Sequence, residues 1–284
     1  MNLPPDIPAN WPNRSAGSII ESAPHRWHVQ VMGQGPDLLL LHGAGASAHS
    51  FQGLMPLLAQ DYRVIVPDLP GHGWTRIGRR GRSGLDAMAQ DLALLCDRQG
   101  WHPAGIIGHS AGAAIALRMA QDRPVPVIGI NAALGAFDGV AGWLFPFLAK
   151  SLTYAPFLPQ IFARLSGTTT RISSLLASTG SPLDAAGVER YRTLVARPDH
   201  VAGALNMMAD WQLDGLLAGL ATITSPVLLI TSDLDRAVPP EVSQSAAAQI
   251  PEANLRNIAG FGHLVHEEAP DLVAALVRSF LQAG

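Results

Sequence analysis

One cysteine, Cys96, is the whole thiol content of this chain of 284 residues, so an intrachain disulfide is impossible and nothing marks an oxidising compartment. A reduced cytoplasm fits that reading. Charge is also scarce: 14% of the residues are charged, the net charge is -3 and the pI is near 6.3. With no basic stripe to neutralise a run of phosphates, nucleic acid is not an expected partner. The Arg-rich stretch from Arg76 to Arg82 is short, broken by glycines, and reads as a solvated loop. The longest apolar run outside the expected core strands, Val140 to Ala149, is too short for a bilayer of about 30 Å and contains Pro146. No transmembrane segment is expected, although contact with a membrane surface is compatible with the sequence. The residues through Asn13 lack a basic stretch followed by an apolar one, so they read as an irregular proline-rich arm, not a secretory signal. Neither His-Glu-x-x-His nor a paired-cysteine pattern occurs, and neither a catalytic metal nor a cofactor is expected. There is no fixed-period repeat.

What is present is apolar residue in quantity, 48% of the chain, enough to bury a large core. Short apolar runs alternate with longer stretches of helical spacing, the pattern of a mostly parallel sheet covered on both faces. Asp37 to His42, Tyr62 to Asp68, Ala104 to His109, Val125 to Asn131, Pro226 to Thr231 and Asn254 to Ile258 read as strands, and Ser18 to Glu21 with Arg26 to Val31 as an opening antiparallel hairpin. Helices are expected over Ser47 to Ala59, Gly84 to Gln99, Ala111 to Gln121, Pro240 to Gln249 and Glu267 to Leu281. The interval before Pro226 is long and becomes aromatic and proline-rich over Val140 to Pro159, so residues 134–210 read as a helical cap. That cap would divide a core made of residues 1–133 and 211–284.

Gly108-His109-Ser110-Ala111-Gly112 follows an expected strand and opens an expected helix, which is the context the Gly-x-Ser-x-Gly turn requires. Such a turn exposes Ser110 at the carboxyl edge of the sheet. A serine hydroxyl is a weak nucleophile at neutral pH and needs a base, and the base needs a group that holds its tautomer. Asp235 follows the strand ending at Thr231, and His263 follows the last strand, so the order serine, acid, histidine suits this fold. Asp233 and Asp138 compete for the acid role, with position favouring Asp235. His266 is expected to face the following helix, and His109 to pack beside the nucleophile or line the pocket. The glycine-rich turn His42-Gly43-Ala44-Gly45 can aim backbone N–H groups at an oxyanion, with Ala44 and Ala111 as the expected donors. His42 reads as a brace of this turn that also borders the pocket with Gly43. The loop from Asp68 through His72 to Thr75 shapes the same edge. Trp143 and Phe147, with Phe145, Tyr154 and Phe157, form an aromatic group expected to line a wide apolar pocket.

These motifs, together with Glu268 and Pro270 after His263, resemble the α/β-hydrolase superfamily from the first long strand to the last helix. The resemblance implies an eight-stranded, mostly parallel sheet with helices on both faces and an inserted helical cap. Trp11-Pro-Asn-Arg14, Arg26 to Gln30, His109 to Met119, Asn131-Ala-Ala-Leu-Gly135 and Asp199 to Trp211 narrow it. They are similar to the magnesium-chelatase accessory hydrolases of bacteriochlorophyll gene clusters. That likeness implies a role near magnesium insertion, a tetrapyrrole as substrate and chelatase subunits as partners. Three functions are compatible with these residues: hydrolysis of an ester, thioester or amide of a large apolar molecule, carriage of a porphyrin without catalysis, and hydrolysis of a carbon–carbon bond in a ring-fission product.

Overall fold

Unbroken apolar runs belong to strands covered on both faces, and residues 38 to 41 show why: Leu39 and Leu41 enter one core, Leu38 and Leu40 the other. The computed structural model describes residues 3–78, 81–135 and 168–283. Its strands are β1 (Gly17–Ser22), β2 (His25–Met32), β3 (Asp37–Leu41), β4 (Arg63–Pro67), β5 (Pro103–His109), β6 (Val127–Ile130), β7 (Val227–Ser232) and β8 (Ala253–Ile258). They form one eight-stranded sheet in the order β1-β2-β4-β3-β5-β6-β7-β8. Only the pairings of β2 with β1 and β4 are antiparallel; β3 through β8 run parallel.

One face of the sheet is covered by α2 (Leu85–Gln99), α3 (Ala111–Asp122) and α8 (Pro240–Ala247), which bury Leu92, Ile115 and Ala246 among others. The other is covered by α1 (Leu54–Leu58) and α10 (Pro270–Ala283), through Leu54, Leu58, Val273 and Val277. Two expected helices are divided. The span Ser47 to Ala59 is a 3-10 turn, Ala48–Phe51, followed by α1. Pro56 has no N–H for the Gln52 carbonyl, so the helix cannot run through from the earlier turn. Likewise Glu267 to Leu281 is a short α9 (Val265–Glu268) and then α10, because Pro270 pushes Ala269 out of the helical region, to φ -138 and ψ 59.

Between β6 and β7 the described chain forms α4 (Thr169–Ser178), α5 (Ala185–Val195), α6 (Pro198–Ala209) and α7 (Asp214–Ala218). Ile172 and Leu176 of α4 and Val188 and Tyr191 of α5 form a small core with Ala46 and Leu264. These helices therefore rest on the loops that follow β3 and β8. The aromatic stretch Val140 to Pro159, with Trp143 and Phe147, lies outside the described residues. None of the described helices is long and apolar enough to cross a membrane.

Candidate active site

β5 delivers Ser110 to the amino end of α3 with φ 53 and ψ -117, a conformation that costs a side-chain-bearing residue roughly 1–3 kcal/mol. The surroundings hold it there. The Ser110 amide donates to the Ile130 carbonyl at 2.9 Å, and the Ser110 carbonyl accepts from Ala113 and Ala133, each at 3.1 Å. A Cβ on Gly108 would lie 2.4 Å from the Ala113 nitrogen, and one on Gly112 would lie 2.1 Å from the Leu41 oxygen. Glycine at both places lets strand, turn and helix close to backbone contact.

The loop after β7 carries Asp235 and the loop after β8 carries His263, and their side chains meet: Nδ1 of His263 donates to Oδ2 of Asp235 at 2.7 Å. Oδ1 of Asp235 accepts from the amides of Ala237 and Val238 at 2.8 and 2.9 Å, so the carboxylate is held at both oxygens. Asp235 and His263 are both buried. This tautomer leaves Nε2 of His263 with a lone pair for a hydroxyl proton. Asp233 is exposed and accepts instead from the Gly260 amide at 2.7 Å. Asp138 lies outside the described residues.

The turn after β3 brings Gly43 against the serine, for a Cβ there would stand 3.1 Å from Cβ of Ser110. Ala44 follows in that turn, and Ala111 follows Ser110 in the chain. His42 is fully buried; its Nδ1 donates to the Gly43 carbonyl at 2.8 Å and its Nε2 accepts from the Leu69 amide at 2.9 Å. Burial pushes its pKa down, and the neutral ring braces the turn. Asp68 supports the same edge by accepting from the amides of Ala48 and Trp74 and from His28 Nδ1. Burial alone would raise its carboxyl pKa, but His28 and these donors hold it well below the usual range.

His109 is buried, and its Nε2 donates to the His263 carbonyl at 2.9 Å. Its Nδ1 faces Gly43, 2.9 Å from where a Cβ would stand, so His109 fills the space between the nucleophile turn and the histidine loop. Burial, with His266 and His263 nearby, lowers its pKa strongly. His266 is fully buried with its ring against His109, centroids 4.1 Å apart, and against Phe51, which shares a core with Val273 and Val277 of α10. Burial pushes its pKa down to about 3. Trp143 and Phe147 lie outside the described residues. Among those described, no three His, Cys, Asp or Glu side chains converge as a metal would require.

Several residues around the site escape sequence reasoning. Asn131, at φ 45, donates from Nδ2 to the carbonyls of Gly262 and His263 at 3.2 and 3.0 Å and to Ser232 Oγ at 3.2 Å. An asparagine closing a strand at the carboxyl edge of the sheet is the one local signal that could have flagged it. His200 of α6, and Thr179 and Ser181 after α4, touch these loops from far along the chain and carry no such signal.

Comparison with known proteins agrees with this fold. The chain is 50% identical over 282 residues to the "Magnesium-chelatase 30 kDa subunit" of Rhodobacter capsulatus, covering 98% of this chain and 99% of that one. It is 30% identical to a "Pimeloyl-[acyl-carrier protein] methyl ester esterase" of Xanthomonas campestris pv. campestris, covering 90% and 99%. A crystal structure of an α/β-hydrolase-fold protein from Burkholderia ambifaria superposes with a TM-score of 0.78 at 23% identity, over 92% and 97% of the two chains. The family of the alpha/beta hydrolase fold matches residues 36–270, from the start of the parallel sheet to Pro270, and this chain belongs to it.

Proposed function

We propose that the chain is a serine hydrolase in which Ser110 is the nucleophile, His263 the base and Asp235 the group that orients the base. The observation that carries this reading is the 2.7 Å bond between His263 and Asp235, at the sheet edge where Ser110 is held at a strained turn. Ser110 Oγ attacks the carbonyl carbon while its proton passes to Nε2 of His263. Asp235 steadies the imidazolium, and the amides of Ala44 and Ala111 receive the oxyanion. When the bond to the leaving group breaks, His263 returns the proton to that group. Water, deprotonated by His263 in turn, then releases the acid and restores the serine.

The substrate class proposed is an ester or related bond of a large apolar molecule, a tetrapyrrole in pigment synthesis. Two relatives support it from different sides: one is named an esterase, and the half-identical one is named as part of magnesium chelatase. The second name also favours a rival role, a non-catalytic porphyrin carrier or accessory factor that meets chelatase subunits. Labelling by a fluorophosphonate probe tests the catalytic reading: Ser110 should react, and labelling that survives Ser110→Ala refutes it. A deletion strain complemented with Ser110→Ala separates the two roles. Loss of pigment supports catalysis; normal pigment at wild-type protein level supports carriage, because removing one hydroxyl barely changes an apolar binding surface.

A further inference from the structure

The acid loop and the histidine loop meet a third segment that belongs to neither strand. The Thr179 carbonyl, just beyond α4, accepts from the amide of His263 at 3.3 Å and from the amide of Arg236 at 3.1 Å. One oxygen thus spans the residue after Asp235 and the histidine itself. Gly180, at φ +91, lies backbone to backbone with both loops: a Cβ on it would stand 1.9 Å from the Leu234 oxygen and 3.3 Å from Cα of Gly262. A Cβ on Gly262 would conversely stand 2.2 Å from the Gly180 carbonyl carbon. Ser181, fully buried, completes the contact. Its Oγ donates to Oε1 of Glu268 and accepts from the amide of Leu264 at 2.8 Å, while the same Glu268 oxygen accepts from the Gly262 amide at 3.3 Å. Every amide from Gly262 to Leu264 is therefore fixed by this turn or by Glu268.

We propose that the turn Thr179 to Ser181, acting with Glu268, is a positioning clasp that sets His263 against Asp235 and ties the seating of α4 to that hydrogen bond. Ile172 and Leu176 of α4 pack with Leu264, so a shift of the helix is carried to the residue next to the base. Ser181 and Glu268 touch neither the nucleophile nor the oxyanion turn in any hydrogen bond described above. They act through His263. The proposal rests on reading His263 as the base, and its test separates the two.

The proton between His263 and Asp235 should give a low-field resonance in the NMR spectrum of the intact chain, to be assigned by its loss in His263→Ala. In Ser181→Ala and Glu268→Ala this resonance should broaden or vanish. The rate of fluorophosphonate labelling should fall by about 10²-fold, the scale of a misplaced catalytic group, with its pH profile displaced. Glu268→Gln keeps an acceptor oxygen and should restore both readouts, and Ser178→Ala, at the exposed end of α4, should leave them as in the wild type. A folded Ser181→Ala and Glu268→Ala with an unchanged resonance and an unchanged pH profile would overturn the clasp. If the wild type is not labelled at all yet the resonance responds to Ser181→Ala, the clasp holds and the hydrolase reading falls.

Discussion

His200 donates from Nε2 to the carbonyl of Gly45 at 3.1 Å, linking α6 to the glycine-rich turn after β3. Its tautomer is set from the other side, where Nδ1 accepts from the Gly73 amide at 3.0 Å. The ring is therefore a neutral strut between two loops of the site, and burial pushes its pKa down to about 4. His200→Ala leaves the Gly73 amide without that acceptor, a loss of about 1–3 kcal/mol, and should lower the melting temperature by several degrees. Labelling of Ser110 should slow with it, since the turn carrying Ala44 loses a support.

Acid should destabilise the wild type through the same ring. An unfolded histidine takes up a proton as pH falls past about 6.5, whereas folded His200 resists until about 4. The unfolded state binds more protons between those values, so this stabilisation is complete above about 6.5 and is lost as pH falls toward 4. Denaturant titrations at intervals across that window should show His200→Ala with a shallower pH dependence than the wild type.

Asp235→Asn should leave the fold intact and lower the labelling rate by up to about 10⁴-fold. If the new amide keeps its oxygen toward Ala237 and Val238, its nitrogen meets Nδ1 of His263, and the ring must move its proton to Nε2. That tautomer cannot accept from a serine. Asp233→Asn should have little effect, because Asp233 sits in an exposed turn on the Gly260 amide. The reverse ranking would reassign the acid.

Glu267 predicts a loss of stability at the other end of the pH scale. It is half-buried and accepts from the Tyr191 hydroxyl at 2.6 Å, and desolvation pushes its carboxyl up to about 8. Between about 4.3, the unfolded value, and 8 the folded chain binds more protons than the unfolded one, so this group's contribution declines as pH rises through that interval. Glu267→Gln keeps an acceptor for Tyr191 and cannot ionise. Its unfolding free energy should match the wild type near pH 4 and exceed it near pH 9.

Two glycine substitutions should separate close approach from backbone strain. Gly112→Ala places a Cβ 2.1 Å from the Leu41 oxygen, backbone against backbone, and should prevent soluble expression. Gly45→Ala meets nothing within 4 Å and pays only for φ +74, about 1–2 kcal/mol, so it should fold with a modestly lower melting temperature.

The sheet was legible because fully buried parallel strands read as unbroken apolar runs, and the opening hairpin because Arg26 to Val31 alternates. Helix continuity was less so. Pro56 and Pro270 break spans whose apolar spacing runs straight through them, a steric effect that periodicity does not register. At the site, the elbow at Ser110 and the pairing of Asp235 with His263 follow from local motif and chain order. The contacts of Thr179 and Asn131 do not, because they join a backbone carbonyl or a single amide to loops more than fifty residues away, and nothing in the local sequence marks such meetings.

The backbone contact between Gly180 and Gly262 also bears on how this chain can be recombined with its relatives. A segment exchanged between β6 and β7 to import another specificity is not an independent cassette, since its middle, at Gly180, is moulded to the loop that carries His263. A chimaera with its downstream junction before Thr179 would retain the native seam. One with its junction farther along would have to bring a glycine and a serine in register with Gly180 and Ser181, or import the donor's own histidine loop as well.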